Sequence, residues 1–290
     1  MPDPSKAVLI TGCSSGIGRE TARHLAAKGW TVYASARRPE SIQDLADAGC
    51  RTLGLDVNDE ASMEAAVLEV EQVEGAVGVL VNNAGYSESG AIETVPPERI
   101  RRQFETNVFG VIRMCQLVLP AMRGQGWGRI VNLSSMGGRL TFPGGGIYHA
   151  TKHAVEALSD ALRFEVKGFG VDVVCLEPGL IKTRFGETAA RSVPAGLSGD
   201  GDRGGDDPYA EFNAEVARAT AGAYEEGPLA RLGGGPEAVA QVIERAISAS
   251  RPRARYRVTP SARILLAQRR LLPDRVWDAF LATRFPRPGG

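Results

Sequence analysis

The chain has 290 residues, 34 of them basic and 34 acidic, so it carries no formal net charge, and 43% of it is hydrophobic. This composition supplies one sizeable core and gives no support for a nucleic-acid or acidic partner. No stretch reaches the roughly 18 apolar residues of a membrane span, and the short polar segment Met1–Lys6 lacks the apolar centre of a secretory signal, so the chain reads as a cytoplasmic protein.

The four cysteines, Cys13, Cys50, Cys115 and Cys175, form no CxxC pair, and no histidine stands at zinc-ligand spacing from them. They read as reduced thiols, and no metal site is expected. The basic run Arg251-Pro252-Arg253 reads as solvated surface.

Taken in chain order, Ala7–Ile10 is a short apolar run suited to a buried parallel strand, followed by a glycine-rich turn and a helical pattern over Ile17–Lys28. Strands are expected at Thr31–Ala34, Arg51–Leu55, Val77–Val81, Arg129–Leu133 and Val171–Leu176, with a seventh at Tyr256–Val258. Helical segments lie between them: one ending at Ala48, one starting at Asp59 with Asp59 or Asn58 as its cap, one continuous over Pro97–Arg123, and one over Tyr148–Lys167. This alternation predicts an α/β fold, a doubly wound parallel sheet of about seven strands with helices on both faces, in a single domain. Such folds bind ligands beyond the carboxyl ends of their strands. Residues 1–260 are assigned to this unit, with a substrate loop at about 184–230, and residues 261–290 to a helical tail. Ser192–Pro208, rich in Gly, Asp, Ser and Pro, reads as a mobile loop.

The turn after the first strand reads Thr11-Gly12-Cys13-Ser14-Ser15-Gly16-Ile17-Gly18. Glycines there permit a tight turn and let the backbone approach a pyrophosphate at a helix N-terminus. The spacing is G-x-x-x-G-x-G rather than G-x-G-x-x-G, so the turn alone is weak evidence. Cys13 needs only to be small. The second strand ends Ser35-Ala36-Arg37-Arg38, with no carboxylate for a ribose 2′-hydroxyl and two guanidinium groups suited to a 2′-phosphate. NADP(H) is therefore the expected cofactor, with Arg37 as main phosphate partner and Arg38 or Ser14 assisting.

Tyr148 and Lys152 stand four apart near the start of a predicted helix and share one face. A nearby ammonium favours phenolate, so Lys152 is expected to lower the Tyr148 pKa and make the phenol a working acid/base. His149 and His153 on the same helix read as packing or surface residues, and Trp30 and Trp127 as strand-edge packing.

Taken together, Thr11-Gly-x3-Gly16-Ile-Gly18, Asp56, Asn82-Asn83-Ala84-Gly85, Asn107, Ser135, Tyr148-x3-Lys152 and Pro178-Gly179-x3-Thr183 resemble, in order and spacing, the short-chain dehydrogenase/reductase family over about residues 7–258. The resemblance implies an oxidoreductase in which Tyr148 is the general acid/base. Ser135, rather than the adjacent Ser134, would polarise the substrate oxygen. Lys152 would lower the Tyr148 pKa and hold the nicotinamide ribose, and Asn107 would support a water-mediated proton relay through Lys152. On the cofactor side it implies Gly12, Ser14, Ser15, Gly16, Ile17 and Gly18 at the pyrophosphate, Asp56 with Val57 at the adenine, Asn83, Ala84 and Gly85 along the adenosine, and Pro178, Gly179, Ile181 and Thr183 beside the nicotinamide.

The wording of the cofactor loop and of Tyr148–Leu158 is most similar to the hydroxysteroid and retinol dehydrogenase branch, which implies a hydrophobic steroid-, retinoid- or lipid-like alcohol or ketone. Met136–Pro143 with Leu180 and Phe185 would wall its pocket, and the loop from about Gly186 to Pro228 would cover it. The tail, apolar and basic in alternating patches, is expected to cap the cleft or pack on a partner subunit, with peripheral membrane contact as the alternative. The long helices flanking the fifth strand resemble the family's dimer interface, implying a homodimer or homotetramer. Other function classes stay open: a non-catalytic NADP-binding redox regulator, an isomerase or epimerase that recycles its cofactor, and a reductase of another small carbonyl compound.

Overall fold

The computed structural model describes residues 3–194, 207–224 and 230–288. Seven strands form one parallel sheet in the order β3-β2-β1-β4-β5-β6-β7. They are β1 (Val8–Ile10), β2 (Val32–Ala36), β3 (Arg51–Gly54), β4 (Val79–Asn82), β5 (Gly128–Leu133), β6 (Val171–Glu177) and β7 (Arg255–Arg257). Strand side chains alternate between faces, and the core divides accordingly. Val8, Ile10, Val79 and Val81 face helices α1 (Gly16–Ala27), α2 (Gln43–Asp47) and α9 (Pro236–Ser248). Leu9, Tyr33, Leu80 and Ile130 face α3 (Glu60–Glu74) and α5 (Gly110–Gln125) on the other side. Connections leave β1 toward β2 and β4 toward β5, so the strand order reverses between β1 and β4 and opens a crevice at their carboxyl ends. The four cysteines are free and buried. Trp30 and Trp127 pack, partly buried, on the core.

Most element boundaries lie within two residues of expectation, and Asp59 caps α3 by accepting the Ser62 N–H at 3.3 Å. Two differences matter. The helix expected over Pro97–Arg123 is broken: α4 (Pro97–Phe104) and α5 are joined by a π-turn at Glu105–Phe109, where the Gly110 N–H reaches Glu105 O. The region expected to be a loop at about 184–230 holds α7 (Phe185–Arg191) and α8 (Ala210–Gly222). Alanine-rich α8 is a good helix former that the surrounding Gly and Asp residues mask in an average over the segment. Most of the expected mobile loop, residues 195–206, lies outside the described residues. The tail forms α10 (Pro260–Leu271) and α11 (Asp274–Ala282), whose Leu265 and Leu266 pack on Met136, Leu140 and Phe142. Helix α6 (Gly146–Glu165) completes the set and starts two residues before Tyr148.

Among the described residues, no helix is long and apolar enough to cross a membrane, and no cluster of His, Cys, Asp and Glu suits a metal ion.

Candidate active site

The crevice between β1 and β4 is closed by hydrogen bonds that only these side chains make. Thr11 Oγ1 accepts the N–H groups of Asn83 and Ala84, each at 3.0 Å, and Asn83 Nδ2 donates to the carbonyls of Thr11 (2.9 Å) and Gly12 (3.0 Å). Gly12 has φ 75°, and a methyl there would lie 2.9 Å from Ala84 Cα. A methyl on Gly18 would overlap Asn83 Nδ2 and come within 2.6 Å of Gly12 O. These contacts set the turn flush against β4 and aim it at the first turn of α1. That turn contains no acidic residue, and Ser15, its N-cap, makes no side-chain capping bond. Uncapped N–H groups at a helix N-terminus, behind a close-packed glycine turn, suit a pyrophosphate. Ser14 is exposed at this opening, and Ser15, Gly16 and Ile17 are half-buried beside it. Thr183 closes the other side, its Cγ2 3.3 Å from where a Gly16 methyl would be.

Arg37 and Arg38 are exposed at the end of β2, and neither side chain makes a hydrogen bond or ion pair among the described residues. Asp56 is half-buried at the end of β3, with Oδ1 accepting from Asn58 N and Nδ2. The side chain of Val57 is core, packed beneath Gly110. Ile181 is likewise core, and its backbone bridges Gly234. Gly179 packs so closely on Thr259 and Ser261 that a side chain would overlap both hydroxyls. Of the Pro178–Thr183 group, only Thr183 stands against the phosphate turn. Pro178 contributes its carbonyl to Met136 N–H at 2.8 Å.

Tyr148 lies in the first turn of α6 and Lys152 in the second. The Tyr148 phenol lies near Ser135, whose side chain favours the phenolate, and Ser135 Oγ accepts Gly137 N–H at 3.1 Å. Ser134 is buried instead under Gly138. Lys152 is buried, its Nζ 5.8 Å from the Tyr148 ring centroid and donating to Leu133 O at 2.6 Å. Asn107 is buried in the π-turn. It clasps Tyr86, accepting from Tyr86 N at 3.1 Å and donating to Tyr86 O at 2.9 Å, and also donates to Thr151 Oγ1 at 3.1 Å. Asn107 Oδ1 and Lys152 Nζ converge on Gly85, 3.1 and 3.8 Å from a methyl placed there.

Electrostatics corrects one expectation. The Tyr148 pKa is raised, not lowered: burial dominates, a charge on nearby Tyr224 would add to it, and the Ser135 side chain only partly opposes it. Lys152 is itself pushed down to about 8 by burial, which the Glu156 carboxylate offsets only in part. The phenol is therefore protonated at neutral pH in the protein alone.

His149 is buried between Gly137 and Gly145, where side chains at either glycine would strike its ring. Its Nδ1 accepts Phe142 N–H at 3.3 Å, and its pKa falls to about 4 through burial and the neighbouring His153. His153 is exposed. Sequence reasoning named Phe142 and Phe185 as walls of the pocket but missed His149, Tyr224 and Trp277 as parts of it. Aromatic rings run from Trp277 to Phe142 (6.0 Å between centroids), His149 (6.2 Å), Tyr148 (5.7 Å) and Phe185 (5.4 Å). Tyr224, just past α8, continues this wall over Gly186, where a methyl would meet its ring within 2.5 Å. Leu140 does not line an open pocket: it is buried beneath α10.

A family model described as short chain dehydrogenase matches residues 6–193. The chain is a short-chain dehydrogenase. It is 36% identical to an NADPH-dependent 3-dehydrocapnine reductase of Ornithobacterium rhinotracheale over 280 residues, covering 93% of this chain and 94% of that one. It is 40% identical to a 3-ketodihydrosphingosine reductase of Bacteroides thetaiotaomicron over 194 residues, 67% of this chain and 70% of that one. Among solved structures, a short-chain dehydrogenase from Streptomyces avermitilis superposes with TM-score 0.77 at 35% identity, over 95% of each chain. Solved short-chain dehydrogenases of this fold include complexes with NADP+ and with NAD. The protein is thus a Rossmann-type, nucleotide-binding oxidoreductase acting on CH–OH or C=O groups.

Proposed function

We propose that this short-chain dehydrogenase uses NADP(H) to interconvert a hydrophobic, lipid-like ketone and its alcohol, with Tyr148 as general acid/base. The observation that carries the reading is the placement of the Tyr148 phenol near Ser135, one turn from Lys152 and set in a wall of aromatic rings. Arg37 and Arg38, exposed at the end of β2, favour the 2′-phosphate of NADP(H) over the NAD ribose. Relatives named as reductases of 3-dehydrocapnine and 3-ketodihydrosphingosine support a long-chain 3-ketone, ahead of steroid- or retinoid-like compounds.

The glycine turn, the first turn of α1, Asn83–Gly85, Asp56 and Thr183 would hold the dinucleotide. Bound NADPH supplies a hydride to the carbonyl carbon. Ser135 and Tyr148 bind the carbonyl oxygen from two sides, and Tyr148 gives it the phenolic proton as negative charge develops there. The phenolate left behind lies beside the Lys152 ammonium, which the Leu133 carbonyl holds in place. Asn107 keeps Tyr86 and Thr151 positioned around Lys152, and a relay of protons from solvent through this group is part of the proposal. Residues 1–260 act as the binding and catalytic unit, with α7 and α8 covering the substrate and the tail roofing Met136–Phe142. A homodimer or homotetramer through α5 and α6, with Phe109 exposed just before α5 and Phe164 exposed on α6, and a cytoplasmic location complete the reading.

Following NADPH oxidation with long-chain 3-ketones and with short polar ketones tests it. Tyr148→Phe is expected to lose roughly 10²- to 10⁴-fold in kcat and to bind NADPH as before. Near-normal turnover in that variant, or a preference for the short polar ketones, would overturn the assignment.

A further inference from the structure

Helix α10 has two apolar faces. At 3.6 residues per turn, Ala262, Leu265 and Leu266 form the buried stripe against the body of the protein. The opposite stripe, which faces solvent, is made of Ile264, Ala267 and Leu271. Ile264 is 41% exposed and Leu271 80%, and Ala267 is exposed between them. An ordinary surface helix places charged or polar residues there. Exposed Arg263 and Arg270 lie together along one edge of the stripe, and Arg275 follows on α11. The helix contains no acidic residue. Residues 260–288 hold six arginines against two aspartates, in a chain with no net charge. One of those aspartates, Asp274, is already paired with Arg269 at 2.6 Å.

We propose that the outer face of α10 docks on an anionic lipid bilayer, with Ile264, Ala267 and Leu271 at the interface and Arg263, Arg270 and Arg275 among the headgroups. An apolar stripe edged by arginine is what interfacial binding requires: apolar area enters the headgroup boundary while basic charge is drawn to anionic lipid. A second copy of this chain is the weaker occupant. A two-fold contact repeats the same patch on both sides and would set these arginines against their own copies with no acid on the helix to meet them. The buried side of the same helix packs on Met136, Leu140 and Phe142, so docking would bring the substrate side of the site to the lipid surface. The proposal stands on the outer face alone and does not depend on the substrate being lipid-like.

Co-sedimentation of the full chain with vesicles tests it. The protein is expected to pellet with mixed phosphatidylglycerol–phosphatidylcholine vesicles, less so as salt is raised, and weakly with phosphatidylcholine alone. Arg263→Gln with Arg270→Gln should weaken binding roughly 30-fold, about fivefold for each charge removed. Ile264→Ser with Leu271→Ser should abolish pelleting while NADPH oxidation with a water-soluble ketone is retained. Failure of the wild-type chain to pellet, or undiminished pelleting of both double variants, would overturn the proposal. So would a loss of oligomer mass by light scattering in the serine variant with pelleting unchanged, which would assign the stripe to a second copy.

Discussion

In the proposed mechanism Tyr148 would donate a proton because of where it is buried, and Arg37 would select the cofactor because it is exposed. The first depends on neighbours from three separate elements: Ser135 after β5, Phe185 at the start of α7 and Tyr224 past α8. The second depends on one strand end, where two exposed guanidinium groups replace a carboxylate. Arg37→Asp should therefore lower kcat/KM for NADPH by about 10- to 100-fold, the worth of a charge-assisted hydrogen bond, and raise the relative use of NADH. Steady-state kinetics with both cofactors measures it, and an unchanged NADPH/NADH ratio would remove Arg37 from the site. Both candidates could be named from the sequence because their chemistry is local or their motif is short. Tyr224 was not, since no spacing relates it to Tyr148 and only the folded path of α8 brings it there. The direction of the Tyr148 shift was equally hidden. A sequence shows that an ammonium stands one turn away, but not how deeply burial encloses the phenol.

At the scale of elements, the glycine turn sits flush on β4 because Gly12 and Gly18 carry no side chain and the Thr11 and Asn83 side chains bridge the pieces. Gly18→Ala would insert a methyl where Asn83 Nδ2 and Gly12 O already sit. It should cost about 1–3 kcal/mol through forced repacking and weaken NADPH binding by displacing the turn. Thermal melting with and without NADPH reads both effects, and a variant that melts and binds like wild type would show that the turn is looser than its geometry. Apolar runs and helical periods predicted the seven-strand sheet because β1, β2, β4, β5 and β6 are buried almost throughout and the helices bury one face. The π-turn at Glu105–Phe109 escaped that reading. One extra residue in a helical turn leaves no compositional mark, yet it carries Asn107 into contact with Tyr86 and Thr151. Helix α8 escaped for another reason, being framed by residues that favour loops.

For the molecule as a whole, His149 ties global stability to pH. Its folded pKa of about 4 lies below the ordinary 6.5, so the unfolded chain binds the extra proton between those values. Stability is then fully present above about pH 6.5 and is lost as pH falls toward 4, by on the order of 3 kcal/mol. Denaturant midpoints measured from pH 7 to pH 4 should fall, and fall less in His149→Gln. Equal pH slopes in the two proteins would show that other groups govern the acid limb. The packing of α10 and α11 has an evolutionary meaning. The two helices hold the wall at Met136–Phe142, while the dinucleotide crevice is built by β1, β4 and α1. Substrate preference and cofactor preference are therefore separable inheritances: exchanging the C-terminal helices for those of a relative should redraw the substrate range while the dissociation constant for NADPH stays where it was.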